Sequence, residues 1–231
     1  MKNLAFNFNN TIIKKIPANF SARKLILTIL ADKSASMGDD VTVVQNAIND
    51  MLTTINNDSI LKAAVELMVI SVGDKAPRMV RPLSPVSENE KITIGSAAGF
   101  TPLGEAILLA DEKINARLVE LKTSGSEVLA PIMVALTDGN PCGSDKMAEA
   151  VNLVRSGAFT FVPVAIGEDE HSQLAEFGTE VYEISNVEIP KLFQAVTSST
   201  KASITTSAKA SFDKLMKAAM SWSTPAPVFS K

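Results

Sequence analysis

Short apolar runs alternate along this chain with longer stretches whose apolar residues recur every three or four positions. The run Leu25–Ala31 (LILTILA) is followed at once by polar residues, and then by helical spacing over residues 39–55. Further apolar runs lie at 65–72, 132–136 and 159–166. Strands that are buried on both faces alternate in this way with the helices that cover them. The pattern therefore predicts an α/β fold with a mainly parallel central sheet and helices on both faces.

Proline placement marks two further elements. Met79–Leu83 is a shorter run bounded by Pro77 and Pro82, which predicts an edge strand. Thr101 precedes Pro102, and this predicts that Thr101 caps the next helix, with proline at the first helical position. The remaining predicted elements are helices over 146–155, 170–176 and 188–199 and a strand over 181–184.

The 231 residues, 46% of them apolar, suffice for one domain with extensions at both ends. We assign residues 24–200 to the domain and 1–23 to an N-terminal extension, in which alternating Leu4, Phe6 and Phe8 can supply a strand. Residues 201–231 form a tail. One helical face of the tail carries the apolar residues Phe212, Leu215, Met216, Ala219 and Trp222. This predicts an amphipathic helix that packs on its own domain or docks on a partner.

Charge and composition limit the partners and the location. A net charge of −3 gives no basic field for nucleic acid or an anionic membrane surface, so neither is expected as a partner. No apolar run approaches the roughly 20 residues that cross a bilayer, and residues 7–10 interrupt any signal-peptide core. A cytoplasmic location is therefore expected. The single cysteine, Cys142, and the single histidine, His171, do not support a Cys–His nucleophilic pair.

Polar side chains stand where three predicted strands or loops end. They are Asp32, Ser34 and Ser36 after the first strand, Thr101 before a helix, and Asp138 after a later strand. Carboxyl ends of parallel strands meet at one edge of a sheet, so these residues are expected to lie together. Two carboxylates and three hydroxyls suit a hard cation, which predicts Mg²⁺, with Mn²⁺ or Ca²⁺ as alternatives, rather than zinc.

Three motifs in this order resemble the metal-ion-dependent adhesion site (MIDAS) of von Willebrand factor A (vWA) domains. Asp32–Met37 (DKSASM) matches the DxSxS motif, Gly99–Ala106 (GFTPLGEA) resembles the threonine loop, and Leu136–Gly139 (LTDG) resembles the second acidic motif. The resemblance covers residues 24–199 and implies a Rossmann-like vWA fold. The short bacterial TerY-like proteins, linked to tellurite resistance and stress, look most similar.

The resemblance also implies a role for each site residue. Ser34 and Ser36 would bind the ion directly, Asp32 and Asp138 mostly through water, and Thr101 in either way. A partner protein would supply an Asp or Glu to the open coordination position. Lys33 is an unusual neighbour for a cation. Alternate residues of an extended segment face opposite ways, so its side chain is expected to point away from the ion.

Three classes of function remain open on the sequence. The leading one is a non-enzymatic, metal-dependent protein–protein interaction module. The second is a Mg²⁺-dependent phosphatase or phosphotransferase in which Asp32 is the nucleophile. The third is a structural subunit of a larger assembly of chelatase-like or secretion-related type, in which a partner would carry any nucleotide chemistry.

Overall fold

The structure, a computed structural model, describes residues 23–139, 141, 146–167, 172–206 and 212–219. Seven strands in these segments form one sheet: β1 Arg23–Asp32, β2 Val65–Val72, β3 Arg78–Pro85, β4 Glu127–Val128, β5 Ile132–Thr137, β6 Thr160–Ile166 and β7 Tyr182–Ile184. Their order is β3-β2-β1-β5-β6-β7, and β4 pairs with the beginning of β1. Only the β2–β3 pair is antiparallel among these strands. The predicted mainly parallel sheet is confirmed.

Six α-helices accompany the sheet in the described segments: α1 Asp40–Asn57, α2 Ser59–Ala64, α3 Leu103–Thr123, α4 Met147–Arg155, α5 Ile189–Thr205 and α6 Phe212–Ala219. Buried side chains of α1, α2, α5 and α6 form one hydrophobic core with the sheet, and those of α3 and α4 form a second core. Helices therefore cover both faces, as the sequence predicts. Within the described residues, no helix has both the length and the apolar character to cross a bilayer.

Strand β1 shows how the sequence produces these two cores. Leu25, Leu27 and Ile29 belong to the core on the α1 and α5 side, whereas Ile26 and Leu30 belong to the core on the α3 and α4 side. Successive side chains of a strand point to opposite faces, so a continuous apolar run is what a central strand between two helical layers requires. This placement fixes the end of β1, and the polar residues after it, at the middle of the sheet edge.

Strand β3 is an edge strand, as predicted, and it contains one buried charged residue, Arg81. Arg81 is 1% exposed. Its guanidinium donates to the backbone oxygens of Leu67, Pro82, Ser84 and Pro85 and to a carboxylate oxygen of Glu90. These bonds tie the strand to the loop that follows it and leave the charge compensated.

The tail helix packs on its own domain. Phe212 and Met216 of α6 are buried in the core that also contains α5, and Lys217 forms an ion pair with Glu180. The side chains of Leu215, Ala219 and Trp222, the other residues of the predicted apolar face, lie outside the described part of the chain. The predicted extension 1–23 lies almost entirely outside the described residues too. The division between domain and tail at residue 200 falls inside α5, which continues to Thr205, and it stays a prediction.

Two local predictions are wrong. Thr101 does not cap α3: the helix begins at Leu103, and Pro102 occupies the N-cap position. The hydroxyl of Thr101 donates to Asp32, 3.4 Å away. The helix predicted over 170–176 is a short 3-10 helix at Leu174–Phe177, with residues 168–171 outside the described range.

Candidate metal centre

Asp32 lies at the centre of the predicted site. It is the last residue of β1 and is 1% exposed. One carboxylate oxygen, Oδ1, accepts the backbone N–H of Ser34 at 2.6 Å. The other, Oδ2, accepts the hydroxyls of Thr137 at 2.5 Å and Thr101 at 3.4 Å. Both oxygens are therefore oriented by protein donors from three separate segments.

A second series of hydrogen bonds joins the remaining predicted residues. Ser36 donates its hydroxyl to Oδ1 of Asp138 at 2.9 Å, and the hydroxyl oxygens of Ser34 and Ser36 are 3.0 Å apart. Either hydroxyl can be the donor in the second bond. Ser34 and Asp138 are buried, whereas Ser36 is exposed. The structure thus brings all five predicted residues together.

Backbone hydrogen bonds hold the loop before α3 against the end of β1. The N–H of Ala98 donates to the carbonyl of Lys33 at 2.8 Å, and the N–H of Ala35 donates to the carbonyl of Gly99 at 3.2 Å. Gly99 also forms a bridge with Asp74. A Cβ at Gly99 would lie 2.5 Å from the Cα and the carbonyl oxygen of Asp74, and the residue has a φ of +75°. Only glycine fits this approach, which places Thr101 over Asp32.

Lys33 follows Asp32 directly, and the loops beside the site hold its side chain. Its ammonium forms an ion pair with Asp74 at 2.6 Å and donates to the carbonyl of Ser96 at 3.3 Å. The residue is only 7% exposed, yet its contacts are with the loops beside the site. The carboxylate of Asp74 compensates its charge, which limits the repulsion of a nearby cation.

Thr137 is a site residue that the sequence interpretation missed. It is fully buried at the end of β5, its hydroxyl donates to Asp32, and the same oxygen accepts the backbone N–H of Gly139 at 3.2 Å. The signal available in the sequence was its position. A threonine that ends an otherwise apolar strand, directly before Asp138, points to the same sheet edge as the site.

Burial dominates the electrostatics of the site. Burial and, to a smaller extent, the nearby charge of Asp138 raise the pKa of Asp32 to about 6, against the lowering effect of hydrogen bonds from Thr137 and Ser34. A carboxylate in this environment is stabilised by a cation beside it. The donor set fits a hard divalent ion, because it consists of carboxylate and hydroxyl oxygens at one sheet edge.

Other potential ligands do not enter this arrangement. Cys142 and His171 lie outside the described residues. In the segments that are described, no group of three or more His, Cys, Asp or Glu side chains is placed to hold a metal. The candidate centre depends instead on hydroxyl oxygens combined with two carboxylates.

Comparisons with known proteins identify similar folds only. No protein-family model matches the chain, and no curated protein matches it. Among solved structures, proximal thread matrix protein 1 of the mussel byssus is 17% identical with a TM-score of 0.55, covering 80% of this chain and 47% of that one. The same mussel protein has been solved with a zinc-occupied MIDAS motif.

Two other solved structures are similar. VWA2, an ArnB paralog from Sulfolobus acidocaldarius, is 13% identical with a TM-score of 0.53, covering 74% of this chain and 44% of that one. The manganese-loaded TRAP protein of Plasmodium vivax is 16% identical with a TM-score of 0.52, covering 71% and 70%. The chain spans less than half the length of the mussel and Sulfolobus proteins. The sheet order, the helices on both faces and these similarities together show that the chain has the von Willebrand factor A fold.

Proposed function

We propose that this chain is a non-enzymatic interaction module whose metal centre recruits a carboxylate from a partner protein. Asp32, Ser34, Ser36, Thr101 and Asp138 would hold Mg²⁺, and an Asp or Glu of the partner would complete the coordination. The observation that carries this proposal is the convergence of these five side chains, from three separate segments, around a buried carboxylate. A bound cation would supply the attraction for the partner's carboxylate.

Two features of the site favour binding over catalysis. Both oxygens of Asp32 already accept hydrogen bonds from the protein, and the residue is 1% exposed. An aspartyl nucleophile needs an oxygen that can approach a phosphorus atom in line. The phosphatase or phosphotransferase alternative would therefore require the site to rearrange, and we expect no phosphate release from a generic phosphomonoester.

Thermal unfolding after metal removal tests the metal centre. The wild type and Asp32→Asn are stripped with a chelator and unfolded with and without Mg²⁺, Mn²⁺, Ca²⁺ or Zn²⁺. Zinc is included because the MIDAS motif of the mussel protein holds it. Ligand at one hundred times its dissociation constant adds about 2.7 kcal/mol to the free energy of unfolding, or about 5 to 10 °C for a domain of this size.

The control is Asp50→Asn, which removes an exposed carboxylate from the middle of α1. It should keep the full metal-induced increase in melting temperature, whereas Asp32→Asn should lose it. Equal shifts in the wild type and Asp32→Asn, or no shift in either, would contradict the metal assignment.

The wider context of this module is proposed on resemblance alone. The threonine loop TPLGEA, residues 101–106, and the single-domain layout resemble the bacterial TerY-like proteins. We therefore place the chain in the cytoplasm, within a stress or tellurite-resistance system, with neither nucleic acid nor a membrane surface as its partner. Deleting the gene and measuring survival on tellurite tests this placement, with rescue by the wild type but not by Asp32→Asn as the expected result.

A further inference from the structure

Phe100 is an exposed aromatic residue that immediately precedes Thr101 of the candidate metal centre. It is 68% exposed, while the next residue in the chain, Thr101, is 4% exposed and donates its hydroxyl to Asp32. Among the described residues, the other large apolar side chains with comparable exposure are Val119, at 66%, and Val187, at 77%. Exposure of a single apolar side chain is ordinary, so the location of this one is what matters.

The backbone around Phe100 is held on both sides, which fixes the ring at the surface. Its own N–H donates to the carbonyl of Asp74 at 3.3 Å, and the N–H of Asp74 donates to the carbonyl of Ala98 at 2.9 Å. Lys33 pairs with the side chain of Asp74, and Gly99 is in close contact with the backbone of Asp74. Moving Phe100 into the core would require breaking these bonds, so the loop presents the aromatic side chain to solvent.

We infer that Phe100 is a second contact for the partner, and that the partner segment carries an apolar side chain within two residues of its metal-binding carboxylate. This inference rests on the proposed function. Adjacent Cα atoms are about 3.8 Å apart, so Phe100 lies one residue from a side chain that reaches Asp32. In an extended peptide, residues two apart share a face and are separated by about 7 Å. An Asp or Glu on the ion therefore brings its neighbours within reach of the ring.

The metal ion and Phe100 would contribute to recognition in different ways. Attraction between the ion and a carboxylate is strong but common to every acidic residue, whereas contact with the aromatic face selects what accompanies the acid. Aromatic residues, phenylalanine among them, are enriched in the cores of protein–protein interfaces. Phe100 thus gives the site a preference for acidic residues in apolar surroundings over the acidic runs that are common on protein surfaces.

Selection from a library of fully random displayed peptides tests this inference. The immobilised baits are the wild type, Asp32→Asn, Phe100→Ser and Val119→Ser, each with Mn²⁺ and with a chelator. Val119→Ser is the matched control because Val119 is as exposed as Phe100 but lies on α3. The wild type and Val119→Ser should enrich, with metal only, peptides that have Asp or Glu and an apolar residue within two positions.

Phe100→Ser should keep the enrichment of Asp or Glu and lose the apolar preference. The selected peptides should bind this variant about tenfold more weakly than they bind the wild type, while its affinity for Mn²⁺ and its melting temperature stay unchanged. An acidic preference without an apolar neighbour, or an apolar preference that survives in Phe100→Ser, would overturn the inference and leave the proposed function intact. No metal-dependent enrichment of acidic residues by the wild type would overturn both.

Discussion

Replacing Thr137 by valine removes one hydroxyl from the site and keeps the shape of the side chain. The lost bond is the 2.5 Å contact to Oδ2 of Asp32, inside a fully buried environment. A hydrogen bond to a charged group contributes about 1.5–3 kcal/mol. Because about 1.4 kcal/mol corresponds to one pKa unit, the pKa of Asp32, about 6 in the wild type, should increase by about one to two in the variant.

This increase has a measurable consequence for metal binding. Only the ionised carboxylate favours the cation, so the apparent affinity follows the ionised fraction of Asp32. With the wild-type pKa at about 6, roughly nine tenths of Asp32 is ionised at pH 7. An increase of about 1.5 would reduce that fraction to roughly one quarter. Thr137→Val should therefore bind Mn²⁺ about fourfold more weakly at pH 7 and recover most of the difference at pH 9.

The assay is titration of Mn²⁺ by calorimetry or by electron paramagnetic resonance at several pH values. Thr137→Ser, which keeps the hydroxyl, should give the wild-type pH profile. Thr28→Val is a second control on β1, because the buried Thr28 hydroxyl has no hydrogen-bond partner among the described residues. It should leave metal affinity unchanged and not destabilise the fold. A loss of affinity in Thr137→Val that is equal at pH 7 and pH 9 would refute the electrostatic reasoning.

Three further predictions concern stability and pH. The raised pKa of Asp32 means that the unfolded chain ionises first as pH increases from 3.8 to about 6. In the metal-free protein, Asp32 should therefore contribute about 1 kcal/mol more stability at pH 5 than at pH 7, which chemical unfolding can check. The affinity for Mn²⁺ should be about tenfold lower at pH 5 than at pH 7, which metal titration can check. Gly99→Ala should cost more than about 2 kcal/mol in urea unfolding and weaken metal binding, because its Cβ would meet Asp74; unchanged stability would show that the loop adapts. Arg117→Met should cost about 3 kcal/mol, since it leaves Glu66, at 1% exposure, without its partner 2.7 Å away, and a Glu66→Gln background should reduce this loss.

The sequence was sufficient for the fold and for most of the site because both depend on local patterns. Short continuous apolar runs identified β1, β2, β5 and β6, and polar residues at strand ends indicated where the site lies. The five predicted residues do converge, although whether they bind a metal stays a prediction. Helix α2 was missed because six residues, Ser59–Ala64, are too few to show helical periodicity.

The remaining errors have a common physical origin in tertiary contacts. Thr101 looked like a helix cap, since a threonine before a proline favours that role locally, yet its hydroxyl binds Asp32 from 69 positions along the chain. Thr137 was placed at the end of the 132–136 run without a role of its own, and its role depends on facing Asp32 across the β1–β5 pair. No single-sequence pattern records which distant group a hydroxyl will meet.

The edge strand β3 has a consequence for how this domain can associate with other chains. Pro82 and Pro85 lack the N–H that a neighbouring strand would need, and Arg81 already occupies carbonyls there. At the opposite edge, β7 has only three residues, Tyr182–Ile184. Intermolecular strand pairing, the usual start of sheet-mediated aggregation, has little template at either described edge. Crowded molecules of this domain should therefore resist fibre formation, even though its sheet is rich in aliphatic residues.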